Sequence, residues 1–210
     1  MFASIAIQAL VWASGPEMVV DRTLPPERSD ASRAMERHAE GDAAAFAEVY
    51  DALASRLLRY LGRLERDPAT AEDLVQQTFI RMHKARASFR PGAHVEPWAF
   101  AIARRLFLDA RKQKKRGVLS WLLPEPSAEV DAEAILMARQ LSDAARARLE
   151  SLPPLQREAF LLIREDGLSM AEAAATLGVT VAAVKLRAQR AYDALRETMN
   201  SQGTETEGEA

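Results

Sequence analysis

Apolar residues recur at intervals of three and four over most of the chain, and nowhere do they alternate with polar ones as a half-buried strand requires. Between Asp42 and Leu64 the series Phe46, Val49, Tyr50, Leu53, Leu57, Leu61 and Leu64 predicts one long amphipathic helix. A second helix is predicted from about Thr70, read as its cap, through Leu74, Val75, Phe79, Ile80 and Met82, with Pro91 and Gly92 closing the region. A third opens at Pro97, a residue tolerated in a first helical turn, and runs to about Arg116. On its wheel Trp98, Ala99, Ile102, Ala103, Leu106 and Ala110 share an apolar side, while Arg104, Arg111 and Lys115 line the other. These three helices imply a small helical bundle.

A different pattern stands near the C-terminus. Ser169 followed three residues later by Glu172 is a capping-box spacing, and it opens a short helix whose Ala173, Ala174 and Leu177 pack tightly. Gly178 supplies a left-handed stop and Thr180 caps the next helix, so the turn between them has the length of a helix-turn-helix. On the second helix Val184, Ala188, Ala191 and Leu195 form the inward stripe. Ala182, Leu186, Gln189, Arg190 and Asp193 therefore face outward, flanked by Lys185. A head of this size and charge fits a DNA major groove; an ordinary helical hairpin is the plainer account, disfavoured by the turn chemistry and the outward bases together.

Charge divides the chain. Its 210 residues carry a net charge of -2, but Lys and Arg against Asp and Glu number 4 against 5 in residues 1–39, 15 against 10 in 40–117, none against 4 in 118–138, 9 against 8 in 139–199, and none against 3 in 200–210. The pattern predicts a basic module at 40–117, an acidic linker at 118–138, a near-neutral module at 139–199 and an acidic tail at 200–210. The linker holds Pro124 and Pro126, which favour relative motion of the modules, although Val118, Leu119, Trp121, Leu122 and Leu123 should seek cover. Residues 1–39 read as an N-terminal extension and a mis-assigned start. Met1 to Ser14 are nearly all apolar without a preceding base, too short to span a membrane, and Met18 and Met35 offer later starts.

Between Arg104 and Arg116 seven bases (Arg104, Arg105, Arg111, Lys112, Lys114, Lys115 and Arg116) face a single acid, Asp109. One or two such charges would only complement the helix dipole; seven point to phosphate, with a solvated face or another anionic partner as the alternative. The apolar stripe takes Trp98 into the core and leaves Phe100 and Phe107, nearer the basic side, with the better claim to meet nucleic acid or else to pack at the solvent edge.

Three segments carry a family resemblance. Glu72-Asp73-Leu74-Val75-Gln76-Gln77-Thr78-Phe79, then Pro97-Trp98-Ala99-Phe100-Ala101-Ile102-Ala103-Arg104-Arg105 leading into the basic run, then Leu152-Pro153-Pro154-Leu155-Gln156-Arg157-Glu158-Ala159-Phe160 with the helix-turn-helix, together resemble a bacterial RNA polymerase sigma factor of the extracytoplasmic-function (ECF) type of the sigma-70 family. The resemblance implies an all-α fold of two small helical domains, sigma region 2 and region 4 with its helix-turn-helix, joined by a linker. It implies that Asp73, Gln76, Gln77 and Phe79 lie at or near the surface that docks on core RNA polymerase, Gln77 standing where the family often has Glu. Ser88, Phe89, Arg104, Arg105, Arg111, Lys112 and Lys115 would meet the promoter -10 element, Arg105 standing where the family usually has Asn. Ala182, Lys185, Leu186, Gln189 and Arg190 would face the -35 element. The implied function is to bind core polymerase, direct it to promoters and help open DNA in the cytoplasm, under an anti-sigma factor in a stress response. The runs Ala173-Ala174-Ala175 and Ala182-Ala183-Val184-Lys185 resemble subgroups whose anti-sigma factor is membrane-bound.

The chain itself should not enter a membrane, and no enzyme is expected. The absence of cysteine excludes disulfides, thiolate zinc sites and cysteine nucleophiles, and suits a reducing compartment. No glycine-rich phosphate loop, activated nucleophile or paired-carboxylate motif is legible, so no catalytic residue and no cofactor are assigned; Glu165 and Asp166 read as a loop-end acidic pair beside Gly167. His38, His83 and His94 stand far apart in sequence without ligand partners at helical spacing, so no metal site is assigned. The rival from another class is a helix-turn-helix repressor or activator that is not a polymerase subunit; the Glu72 to Phe79 segment and the basic first module disfavour it.

Overall fold

The computed structural model describes residues 28–65, 67–116 and 144–206. The predicted linker, residues 1–27 and the end of the acidic tail lie outside the described residues. Every regular element among those described is helical: α1 (Asp30–Ala39), α2 (Ala45–Leu64), α3 (Pro68–Lys84), a 3-10 turn (Arg86–Ser88), α4 (Val95–Arg116), α5 (Pro154–Arg164), α6 (Met170–Leu177) and α7 (Val181–Thr206), with 144–151 also helical. The all-α expectation holds.

The described residues divide into two compact units. The first joins 28–116 to Leu162–Ala183, and the second holds 144–161 and 184–206. The core of the first unit is built on α2, whose Val49, Leu53, Leu57 and Leu61 are fully buried as the spacing predicts. Burying each such side chain stabilises the fold by about 1.5–3 kcal/mol. Tyr60, on the same face, packs edge-on against Phe100 of α4 with ring centroids 5.1 Å apart. Such pairs add about 0.5–1.5 kcal/mol beyond burial.

The unit begins earlier than the hydrophobic pattern suggests. Ser29 caps α1 by accepting the Ser32 amide at 3.1 Å, and Ala34 and Met35 are fully buried. Met35, a proposed later start, therefore sits inside a core helix. Ser32 is also fully buried, where its hydroxyl accepts the Val95 amide at 3.0 Å and donates to Glu96 Oε2 at 3.3 Å. That hydroxyl ties α1 to the first turn of α4, where amides lack partners within the helix. Ala31, Ala34, Met35 and His38 do recur at three and four, but only Met35 is large and apolar, so the inward stripe of α1 is inconspicuous in the sequence.

Helix starts differ from the expected ones by a few residues. Asp67 caps α3, accepting the Thr70 amide at 3.2 Å, with Pro68 in the first turn; Thr70 is thus capped and is not the cap. Asp42 accepts the Ala44 and Ala45 amides at 3.0 and 3.3 Å just before α2. At α6 the capping box forms as predicted: Ser169 Oγ accepts the Glu172 amide at 3.2 Å while Glu172 Oε2 accepts the Ser169 amide at 2.8 Å. Gly178 closes α6 at φ 67° and ψ 39°, a left-handed conformation that costs glycine nothing.

Leu162–Ala183 belongs to the first unit through specific contacts. Asp166 is 2% exposed, and its Oδ2 lies 2.5 Å from Arg63 Nη2 while Arg56 Nη2 donates to its carbonyl at 2.6 Å. One member of the loop-end acidic pair is thus buried against two arginines of α2, which a reading by neighbours in sequence cannot see. Thr176 adds a bond from its hydroxyl to the Pro97 carbonyl at 3.4 Å. In the second unit Leu152, Ala191 and Ala194 form a small core, covered by Leu149 and Phe160.

Candidate nucleic-acid interface

Three sets of side chains were singled out by sequence, and the fold treats them differently. On α3, Asp73, Gln76 and Gln77 are exposed along one edge, because Ala71, Leu74, Val75 and Thr78 occupy the buried face. Phe79 is corrected. It is 5% exposed, its ring centroid 4.6 Å from Tyr50 and 6.1 Å from Phe46, so it holds α3 against α2 behind the polar edge. Beside that edge Ile80 and Tyr50 remain 53% and 49% exposed. An amide and carboxylate strip bordered by large apolar groups is the composition of a protein-docking surface.

The basic helix α4 presents Arg105, Arg111 and Lys112 to solvent, with Arg104 half-buried. Lys115 lies in its last turn, where side chains are not among those described. The aromatic assignment reverses. Phe100 and Phe107 are 0% and 7% exposed, whereas Trp98 is only half-buried. The wheel separated two faces, but α2, α3 and α6 all pack on α4 and widen its buried arc, Phe100 meeting Tyr60 of α2. Phe89 is also corrected: it is 6% exposed and packs on Trp98 with centroids 5.3 Å apart, while Ser88 beside it is exposed.

Trp98 then opens onto a shallow groove of about 410 Å³ lined also by Arg81, Lys84, Ala85, Ile102, Arg105 and Asp109. An indole edge among three cations suits a base and its phosphates, through stacking and charge together. Arg81 and Lys84, from the last turn of α3, were missed by sequence reasoning because they lie outside the dense run. Their spacing of three, at the end of a helix adjoining that run, was the available signal.

On α7 the expected reading head is intact. Ala182, Lys185, Leu186, Gln189 and Arg190 are all exposed, while Val184 and Ala191 are fully buried and Ala188 and Leu195 half-buried. Thr180 Oγ1 accepts the Ala183 amide at 3.2 Å, setting the start of the helix. Gln189 Nε2 donates to Asp193 Oδ1 at 2.9 Å, one turn on, which leaves the amide oxygen free to accept. Leu186, 52% exposed, gives the head an apolar tip suited to a thymine methyl.

The histidines are not isolated as their sequence spacing suggested. His38 Nε2 lies 3.1 Å from His83 Nδ1, and His38 Nδ1 is 3.1 Å from the Asp42 carbonyl. That carbonyl can only accept, so His38 Nδ1 is the donor in that bond. His94 meets Glu96 and Glu172 instead. One buried titratable group stands apart from the interface: burial pushes the Asp166 carboxyl above the usual carboxylate range, and Arg63 beside it opposes the rise. Among the described residues its Oδ1 has no hydrogen-bond partner, so the carboxylate is only partly compensated for its desolvation.

Comparison with known proteins accounts for this combination. Residues 49–117 match the Sigma-70 region 2 family and residues 142–195 the Sigma-70, region 4 family. The RNA polymerase sigma factor CarQ of Myxococcus xanthus is 35% identical over 170 residues, spanning 79% of this chain and 95% of CarQ. The ECF RNA polymerase sigma factor SigE of Mycolicibacterium smegmatis is 35% identical over 176 residues, 80% of this chain and 68% of SigE. Among solved structures, the sigma factor RpoE of Bartonella quintana, crystallised with the anti-sigma factor NepR, is similar at a TM-score of 0.58 and 27% identity, over 74% of this chain and 96% of that one. CnrH, solved with the cytosolic domain of CnrY, shares the fold at a TM-score of 0.61 and 22% identity, over 82% of this chain and 99% of that one. With both conserved regions matched and a relative aligned over nearly its whole length, the chain belongs to the ECF sigma factors of the sigma-70 family.

Proposed function

We propose that this sigma factor joins core RNA polymerase through the Asp73, Gln76 and Gln77 edge of α3, meets the promoter -10 element with α4 and the Trp98 groove, and reads the -35 element with the outer edge of α7. The observation that carries the reading is on α7: all five residues expected at the -35 element are exposed along one edge of a helix whose opposite side is buried. Phosphate contacts from Arg105, Arg111 and Lys112 supply salt-sensitive affinity, and base contacts from Lys185 to Arg190 supply selectivity. Sigma factors are in general initiation factors rather than enzymes, so nucleotide addition belongs to the polymerase. The RpoE complex with NepR supports control of this chain by an anti-sigma factor as well. No helix among the described residues is long and apolar enough to cross a membrane, and the action proposed is cytoplasmic.

Run-off transcription with purified core polymerase tests this reading. The chain should confer promoter-dependent initiation, and combined Asp73→Ala and Gln76→Ala, two changes at exposed positions, should weaken core binding in a pull-down while leaving the fold unchanged. Undiminished core binding would remove the α3 edge from the docking surface. Promoter DNA binding without any initiation would make the chain a repressor or activator instead.

A further inference from the structure

We propose that His94, Glu96 and Glu172 form a binding site for a divalent transition-metal cation within the first unit. His94 and Glu96 flank the start of α4, and Glu172 is the third residue of α6; one ligand atom from each lies within 4.8 Å of the others. No two of the three elements of this site are near in sequence except the pair around Val95, so the cluster exists only because α6 packs on α4.

The hydrogen bonding favours a cation over a simple ion pair. Each carboxylate is anchored through one oxygen: Glu172 Oε2 by the Ser169 amide at 2.8 Å, and Glu96 Oε2 by the Ser32 hydroxyl at 3.3 Å. Among the described residues the second oxygens have only distant cations. Glu172 Oε1 is 3.5 Å from His94 Nδ1, and Glu96 Oε1 is 3.9 Å from Arg56 Nη1, both longer than a charge-assisted hydrogen bond of about 2.7–2.9 Å. The two acid side chains are only 10% and 8% exposed. Buried charges of this kind are either closely paired or hold a metal, and here the pairing is loose while the anchored oxygens provide the outer support that metal-ligating carboxylates require.

Donor chemistry sets the class of ion. One imidazole and two carboxylates, with no thiolate anywhere in the chain, suit Zn²⁺, Mn²⁺, Fe²⁺ or Co²⁺ with water completing the coordination, and disfavour Cu⁺. Two donors about 2.1 Å from one cation stand about 3.4 Å apart in tetrahedral geometry and at most about 4.2 Å apart, so separations of up to 4.8 Å must close by roughly 0.6 to 1.4 Å through rotation of the side chains. Binding would then clamp α6 to the start of α4, and the loaded protein should be the more stable one by mass action.

The test uses the tag-free full chain, stripped with a chelator and titrated with ZnCl₂ and, separately, MnCl₂ at neutral pH by calorimetry, with thermal melts in parallel. One ion should bind per chain and raise Tm by several degrees. Glu96→Gln and Glu172→Gln keep an oxygen for the Ser32 and Ser169 donors, so they test ligation without dismantling the capping box; each should weaken binding at least about 10-fold and abolish the Tm shift. His94→Ala should do the same. The His38 and His83 pair is the competing imidazole site, and His83→Ala should leave affinity unchanged. No binding of either ion by the wild-type chain would overturn the proposal, as would binding that persists in both glutamine variants or is lost in His83→Ala.

Discussion

Arg190→Ala separates reading from folding, because the structure gives this side chain no structural duty. Arg190 is exposed on α7, and among the described residues no hydrogen bond or ion pair holds it. Alanine is at least as good a helix former, so the change should move stability by less than about 0.5 kcal/mol. Its neighbour Gln189 is fixed by Asp193 and its helix is anchored by Val184 and Ala191, so the edge survives the truncation. If the guanidinium makes a bidentate contact to a guanine, its loss should cost about 1–3 kcal/mol, or about 5- to 160-fold, at one or two -35 positions and little elsewhere. A phosphate contact would instead weaken every sequence alike and lower the salt slope by about one. The assay is initiation by the reconstituted holoenzyme on a library randomised across the -35 element, with thermal melts of the free chain alongside. Equal loss across the library would refute base reading by Arg190, and a large fall in Tm would refute the claim that it is structurally idle.

Two further outcomes follow from buried polar groups. Ser32→Ala strands the Val95 amide and one Glu96 oxygen inside the first unit, and should cost about 2 kcal/mol and roughly 10 °C in Tm; a loss no greater than that of an exposed serine would mean that α1 is not part of the core. Asp166 gives a pH dependence. Its carboxyl is raised in the folded protein and ordinary in the unfolded chain, so the folded form binds the extra proton and the contribution of this residue to stability falls as pH rises from the usual carboxylate range through the raised value. Asp166→Asn should flatten that decline in melts from about pH 4 to about pH 7, and an unchanged slope would count against it.

Periodicity alone determined that the chain is helical and, apart from Tyr50, which the structure leaves exposed, which face of α2 and α7 is buried, because a stripe at three and four admits one inward side. Local chemistry likewise determined the capping box at Ser169 and Glu172 and the left-handed stop at Gly178, since these bonds close within a few residues. The outward edge of α7 and the polar edge of α3 were legible for the same reason: an exposed residue is defined by its own helix. What only the tertiary structure decided is everything that depends on a second neighbour. A wheel assigns α4 one apolar side, but with α2, α3 and α6 all packed on it Phe100 and Phe107 are buried and Trp98 faces the groove. The short α1 keeps the period but has only one large apolar residue, Met35, and nothing along the chain announces that its Ser32 hydroxyl lies within reach of the Val95 amide, 63 residues away. Asp166 against Arg63, and Glu172 against His94, are pairs separated by 103 and 78 residues, and no pattern along the chain encodes which distant charges packing will bring into contact.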